Sequence, residues 1–460
     1  MPRTEEQARD KVVQLTPELD KRAKTFTGLE GYYTGECPLP EVIKRAEVTQ
    51  AYKLMMGFAQ TNYAKLIVKA ATSRMQIGGI RSADENADKA LWEVWQANHM
   101  DAESRRALDT VLTHGRVFAL PWATRGQDMP QITMELPDTV IVEYREGSRY
   151  DRVCALRRWI DEDTKVPHAT LYDDEAIYRF SGPKNTSGSG ADTPWAPRDG
   201  VEFMETHPWR TVPAVEIATN RAVRAGRYGG RAVGDFEGSV GLLDRINVLE
   251  FLRLVIAFSQ GFPVRVIIGQ KIQKDDNGNA IQPFKLAADL LAQLENPNAK
   301  IHELQAADIK GFGEALDHDV LSLAGVCMTP AYFLRSVPIQ NVSADTIRAS
   351  DAPLQARIED HKPNLSEGFE ELLRVTGRML PTPVDLPSGA EAVWINRESY
   401  SLAERADAAV KFMSAGLPWQ FVGEHVLNLT QEEISRYEVG QAGNVLTALL
   451  QQNAGGGQAT

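Results

Sequence analysis

The chain has few cysteines, no nucleotide-binding motif, no excess of positive charge and no long uncharged apolar run. Each absence removes a class of function. Cys37, Cys154 and Cys327 are the only cysteines in 460 residues. They are odd in number and far apart, so neither a disulfide framework nor a clustered metal site is expected. No GxxxxGK[ST] segment occurs, so there is no P-loop for ATP. No GxSxG elbow and no HExxH helix is present either. The formal net charge of -12 does not suit a protein that binds nucleic acid through a basic surface overall. No uncharged apolar run approaches about 20 residues, so no membrane span is expected. The opening MPRTEEQARDK has no apolar h-region, so no signal peptide is expected.

What is present is ordinary globular material, with 43% hydrophobic and 24% charged residues. The length allows sizeable cores and about two to four domains. Up to Arg116 the pattern reads as helical. Glu5–Leu15 is amphipathic, and Thr16-Pro17 starts a second short helix. Tyr32 to Pro40 reads as a turn-rich connector. Glu41–Arg74 reads as one long periodic helix, followed by helices over Lys89–Asn98 and Asp101–His114. From Val117 the period changes to short alternating runs. Strands are expected at Val117–Ala123, Gln131–Met134, Thr139–Tyr144, Val153–Ile160, His168–Tyr172 and Ala176–Phe180, as a meander, with a last strand at Val212–Ile217. Gly182–Gly200 reads as a loop.

The stretch from Gly234 to Arg374 organises the rest. Asp235–Gln260 reads as a helix with Leu242, Ile246, Leu249, Leu252 and Ile256 near one stripe. Further apolar residues cover most of its circumference, and such a helix is buried on more than one side. Gly261 and Pro263 end it. PVRVIIG (Pro263–Gly269) reads as a strand, the chain returns through Lys300–Leu304, and a second helix runs from about Gly313 to Val326. A polar loop through Asn341 leads to a third helix starting at Ser343, with Pro353 and Pro363 expected to kink or restart it. Ala392–Ile395 reads as a short strand. Ser401–Glu404 and Thr430–Glu433 have capping-box spacing, each opening a helix, and Gly455–Gly457 begins a tail.

Three segments invite a chemical reading. Gly226-Arg227-Tyr228-Gly229-Gly230-Arg231 has glycines and cations for a phosphate cradle, but a Gly-rich turn entering the helix is the preferred reading. Asp275–Asn279 has part of a calcium loop's composition, but position twelve counted from Asp275 is Leu286 rather than Glu, and a hairpin turn fits better. Asp317-His318-Asp319 puts a histidine between carboxylates. Successive helical residues point about 100° apart, so a solvated or channel-facing stripe is preferred to a shared site. His99, His114 and His302 show no ligand spacing. No positive sign of an enzyme is found; the rival reading is a hydrolase using Asp317, His318 and Asp319.

The order of these elements resembles the portal proteins of tailed bacteriophages, of the long-tailed, siphophage type. GYYTGECPLP near the start, the Gly/Arg run before the long apolar helix, and NVSADTIRAS after the polar loop fit as well, and the likeness covers essentially the whole chain. It implies an α+β, mainly helical portal fold assembled as a ring around a central channel. Residues 1–233 would be the wing, 234–262 the first stem helix, 263–310 the clip and 311–328 the second stem helix. Residues 329–343 would be the tunnel loop, 344–400 the long helix with a strand returning to the wing, and 401–460 the crown and tail. The ring would pass double-stranded DNA during packaging and ejection.

The resemblance also assigns residues and partners. Arg335, Ser336, Gln340 and Asn341 would line the channel. Leu242, Ile246, Leu249, Leu252 and Ile256 would form the stem contact between subunits. Arg265, Lys271 and Lys274 would lie in the clip. Arginines 221, 224, 227 and 231 would touch DNA phosphate or a neighbouring subunit's carboxylate, the neighbour being favoured in an acidic ring. No cofactor is implied. The implied partners are further copies of the chain (a dodecamer), DNA, the terminase large subunit, a head–tail connector or adaptor, the major capsid protein and a scaffold protein. ATP hydrolysis would belong to the partner. The implied location is the capsid portal vertex of the virion, with assembly in the host cytoplasm. A head–tail adaptor is a further alternative, disfavoured by the length of the chain.

Overall fold

The computed structural model describes residues 2–37, 50–124, 128–148, 150–184, 193–222, 226–261, 265–268, 300–303, 309–335, 344–395, 402–427, 429–430, 433–434 and 436–437. Helices α1 (Glu5–Thr34), α2 (Gln50–Phe58) and α3 (Tyr63–Thr72) lead to strand β1 (Ile77–Arg81), then α4 (Glu85–Ala97) and α5 (Met100–His114). Strands β2 (Arg116–Trp122), β3 (Gln131–Glu135), β4 (Val140–Tyr144), β5 (Arg152–Ile160), β6 (Pro167–Tyr172) and β7 (Ala176–Ser181) follow. The short β8 (Ala196–Pro197) and β9 (Met204–Thr206) precede β10 (Val215–Ala218). A single 3-10 turn at Glu237–Ser239 enters α6 (Val240–Gly261). Then come β11 (Arg265–Ile268), β12 (Lys300–Glu303), α7 (Ile309–Val326), α8 (Ala331–Leu334), α9 (Ala344–Gly377), β13 (Glu391–Trp394), α10 (Leu402–Ser414) and α11 (Trp419–His425). The fold is α+β and mainly helical, and among the described residues no sheet closes into a barrel.

The chain divides into two compact units. The first holds Met1–Pro38, Asn62–Val240 and Leu323–Thr460; the second holds Leu39–Thr61 and Gly241–Ser322.

In the first unit β4, β5, β6 and β7 pair in sequence order as an antiparallel meander. Its residues Ile141, Leu156, Leu171, Tyr178 and Phe180 pack with Ala8, Val12, Leu15 and Leu19 of α1 in one fully buried cluster. Its other face, through Val140, Val142 and Tyr144, meets Phe118 and Leu120 of β2. Strand β2 is itself the centre of a β10–β2–β3 sheet. The meander is therefore sandwiched between a helix and a second sheet.

Helix α1 is one continuous helix rather than two. Thr4 and Gln7 start it with a reciprocal capping box, and Gly35 ends it in the left-handed conformation. Pro17 lies inside it but faces solvent. An interior proline costs about 3 kcal/mol. Burying Val12, Leu15 and Leu19 returns roughly 1.5–3 kcal/mol for each side chain, so packing wins. The same logic holds for α9, which does not restart at Pro353 or Pro363. Both prolines are exposed, as are Ala349 and Glu359, whose carbonyls lose their amide donors to water. The opposite face buries Leu354, Ile358, Leu365, Phe369 and Leu372 at helical spacing.

One more expectation needs correction. The helix expected over Glu41–Arg74 is interrupted between Phe58 and Tyr63, where the boundary between the units falls. The strand near Ala392 pairs with β1, within residues 1–233. Strand β1 carries Gly78 and Gly79, which hid it from a reading based on β-branched runs.

In the second unit α2 packs on α6 through Met56, Ala59 and Phe251. Asn247 Oδ1 on α6 accepts from both Thr61 N (2.9 Å) and Thr61 Oγ1 (2.7 Å). Strands β11 and β12 pair antiparallel from Arg265↔Glu303 to Ile268↔Lys300.

Candidate functional site

The expected tunnel-loop residues Ser336, Gln340 and Asn341 and the clip residues Lys271 and Lys274 lie outside the described residues. Arg265 opens strand β11. Arg335 is exposed at the end of α8. Its root is well fixed within the first unit. Leu334 is buried, Tyr332 stacks on Phe333 at 4.8 Å, and the Tyr332 hydroxyl donates to Asp351 on α9. Arg74 clamps the same carboxylate at 2.9 Å and lies over the Phe333 ring.

On α6 the expected apolar stripe divides by exposure. Ile246 is fully buried within a single chain, while Leu242, Leu249 and Ile256 are half-buried. Leu252 is 39% exposed, and Phe258, outside that stripe, is 50% exposed. On α7, Leu321 is 54% exposed. Helices α6 and α7 are tied by a bidentate fork, Arg245 Nε to Asp319 Oδ2 at 2.7 Å and Arg245 Nη2 to Asp319 Oδ1 at 2.6 Å. Asp319 is therefore committed to a structural pair. His318 beside it is exposed, and no carboxylate–histidine–cysteine group among the described residues could hold a metal ion.

A buried network that the sequence reading missed lies where the chain enters α6 and leaves α7. The Asp235 carboxylate is nearly inaccessible and meets His361 Nε2 at 3.0 Å and Arg357 Nε at 3.6 Å. The other ring nitrogen, His361 Nδ1, lies 2.7 Å from Thr219 Oγ1 beyond the end of β10. Arg357 also donates to the Cys327 carbonyl, to Thr329 Oγ1 and, at 3.0 Å, to the Ile67 carbonyl of α3. Burial pushes the Arg357 guanidinium below its ordinary value, and Asp235 opposes the shift. Cys327 Sγ reaches Ser239 Oγ at 3.4 Å, which joins the entrance of α6 to the exit of α7. The signal for this network was present in part. Arg357 and His361 are four apart on the apolar stripe of α9, where a polar side chain needs a partner.

Backbone packing fixes the same corner. Gly234 passes so close to the end of α5 that a Cβ there would lie 2.0 Å from the Thr113 carbonyl oxygen. Its neighbour Asp235 donates its N–H to the Leu112 carbonyl at 2.7 Å. Glycine is the only residue that fits.

The arginines of the Gly/Arg run find carboxylates on their own chain. Arg227 Nε pairs with Glu143 at 2.6 Å, Arg231 with Glu237 at 2.8 Å, and Arg221 with Glu216 at 3.1 Å; Arg224 lies outside the described residues. Glu216 is buried beneath Arg116 and Arg221 and accepts from the Tyr144 hydroxyl at 2.8 Å. Burial raises its carboxyl, but the Arg116, Arg221 and Arg22 charges more than reverse this and hold it below the ordinary range.

Buried charges committed to holding helices and sheets together define an α+β structural scaffold. The chain belongs to the phage portal protein family, SPP1 Gp6-like, whose pattern matches residues 14–436. It is 28% identical over 421 residues to the portal protein of Mycobacterium phage L5, covering 88% of this chain and 82% of the relative. It is 27% identical over 429 residues to the portal protein of Mycobacterium phage D29, covering 89% and 82%. Among solved structures, a chain from the virion of the native gene transfer agent particle has a TM-score of 0.44 at 12% identity, covering 83% of this chain and 94% of that one. A chain from the neck of the empty particle, computed with C6 symmetry, also has a TM-score of 0.44, at 13% identity, covering 81% and 91%.

Proposed function

We propose that this chain is the subunit of a ring-shaped channel through which double-stranded DNA enters and leaves a phage capsid. The observation that carries the ring is the exposure of Leu252, Phe258 and Leu321 on helices of the second unit. Large apolar side chains in water on two neighbouring helices favour a repeated, head-to-tail contact with further copies of the chain. A closed ring, a dodecamer in this reading, would cover them all.

The charge balance supports passage without gripping. Each cation that neutralises a DNA phosphate adds affinity by releasing counterions. A net charge of -12, with Arg221, Arg227 and Arg231 paired to carboxylates of the same chain, leaves a wall that binds the duplex weakly. Arg335, at the fixed end of α8, would supply one phosphate contact per subunit at the loop leading to α9. The segment between α6 and α7, with β11 and β12, would dock the terminase and later the head–tail connector. The major capsid protein would meet the ring at the portal vertex. The hydrolase reading loses its best candidate, because Asp319 is held by Arg245.

Native mass and negative-stain imaging of the purified protein test this. A discrete ring of many subunits with an open axis is expected. A monomer or dimer at micromolar concentration would overturn it.

A further inference from the structure

We propose that the first unit contains a binding site for a small oxyanion of the phosphate class, in the cavity between α1, the corner joining α5 to β2, and the segment leading to α6. The cavity has a volume of about 400 Å³. Its wall includes Arg22 of α1, His114 and Arg116 of the corner, and Arg231, Glu18 and Glu237. The site is separate from the channel reading and does not depend on it.

One buried donor atom, on Arg22, and the neighbouring cations Lys21 and Arg116 carry the argument. Arg22 forms no ion pair among the described residues; its Nη2 donates to the Tyr228 carbonyl, and its Nη1 is buried with no hydrogen-bond partner there. His114 is 8% exposed, stacks on Phe26 at 4.2 Å and meets Glu30 through Nε2 at 2.9 Å. His114 therefore shapes the wall, its Nε2 being spent on Glu30. Arg116 adds positive charge behind them, although its Nη1 already faces Glu216 at 2.8 Å and its Nη2 donates to the Gly230 carbonyl at 2.6 Å.

Arg22 is half-buried, with Glu216 and Glu18 near enough to favour its charge but no direct ion pair among the described residues, and a charge withdrawn from water is costly. Burial, reinforced by the Arg116 charge, pushes Arg22 down to about 10, far from its ordinary value. An oxyanion offsets both effects, and the planar guanidinium fork matches its geometry. Of the two carboxylates on the wall, Glu237 is taken by Arg231. Glu18 remains the opposing charge, so it should weaken binding rather than assist it. A bound oxyanion would fasten α1 to the segment that enters α6.

The test is titration of the purified chain with inorganic phosphate at constant ionic strength, with chloride as control. It is read by phosphorus NMR line width and by unfolding temperature. Saturable broadening displaced by sulfate but not by acetate is expected, together with a phosphate-dependent rise in unfolding temperature. Phosphate also stabilises proteins by exclusion from their surfaces. The decisive reading is therefore that Arg22→Gln weakens binding at least tenfold and loses that rise, while Glu18→Gln tightens binding. If Arg22→Gln does not fold, the Glu18→Gln and sulfate results decide. Non-saturable broadening, equal displacement by acetate, or unchanged binding in Arg22→Gln overturns the proposal. A short DNA duplex distinguishes the source. Displacement of phosphate by the duplex assigns the site to backbone phosphate, and no displacement assigns it to the free ion.

Discussion

Arg245 and Asp319 meet as a two-pronged fork across α6 and α7, with one member largely exposed and the other buried. The asymmetry predicts unequal consequences of breaking it. Arg245→Ala strands a buried carboxylate, whereas Arg245→Met with Asp319→Leu removes both charges. The single variant should lower the unfolding midpoint, and the double variant should recover much of the loss. A double-mutant cycle by chemical denaturation measures the coupling. Additive effects would mean that the fork contributes nothing.

The Asp235 network predicts a larger penalty. Asp235→Ala leaves Arg357 as a buried cation facing no carboxylate. Breaking a buried pair in this way costs about 3–5 kcal/mol. Equilibrium unfolding in urea should show that loss. A change below about 1 kcal/mol would remove the network from any account of how the two ends of the α6–α7 excursion are held.

Alkaline pH should destabilise the chain from a definite onset. Burial, and then Glu143, push the Cys154 thiol up to about 12 from an ordinary value of 9.0. Burial likewise raises Tyr172 and Tyr178 to about 12 from 10.0. Below pH 9 both folded and unfolded chains keep these protons, so the groups make no pH-dependent contribution. Above it the unfolded chain releases them first, and stability falls as pH rises toward 12, by at most about 1.4 kcal/mol per unit for each group. Unfolding midpoints at pH 8, 9.5 and 10.5 test the sign. The folded protein should also resist thiol reagents at pH 8, where Cys154 and Cys327 are both held protonated by burial. Rapid labelling of all three cysteines would contradict this.

Leu252→Asp should leave the single-chain fold intact, because the side chain is already 39% exposed. Surface changes of this kind usually stay within about 0.5 kcal/mol. Ring formation should fail if Leu252 lies in the proposed contact between subunits, where the charge would enter apolar surface. Sedimentation velocity reads both results at once. Ile246→Asp is the control: it should unfold the chain, since Ile246 is fully buried within one copy.

Arg335→Glu should spare folding and assembly but reduce DNA retained in the filled head, with the deficit growing at low salt, where phosphate contacts matter most. Packaging measured in an assembled-head assay checks it. Equal retention at every salt concentration would remove Arg335 from the channel wall.

How much of this was legible in the sequence depended on how local each signal was. The meander strands showed because alternation is a two-residue pattern. The Thr430–Glu433 capping box showed because its partners are three apart, and the structure forms both of its bonds. Helix α1 was broken too early because Pro17 is a strong local signal, while its compensation, burial of Val12, Leu15 and Leu19 against the meander, is distant in sequence. Strand β1 was missed for the converse reason: its glycines signal nothing until Glu391–Trp394 arrives to pair with them. The Asp235–His361 pair spans 126 positions, beyond the reach of any periodicity.

The Ser239–Cys327 contact has an evolutionary consequence. The excursion from α6 through α7 starts and finishes at one point, fastened at its ends by Arg357 and His361 and within by the Arg245–Asp319 fork. Such a cassette can be lengthened, shortened or exchanged while its sockets stay put. Doubling a flexible loop costs only about 0.6 kcal/mol of closure entropy. Selection can thus retool the excursion for a new partner without renegotiating the scaffold that carries it.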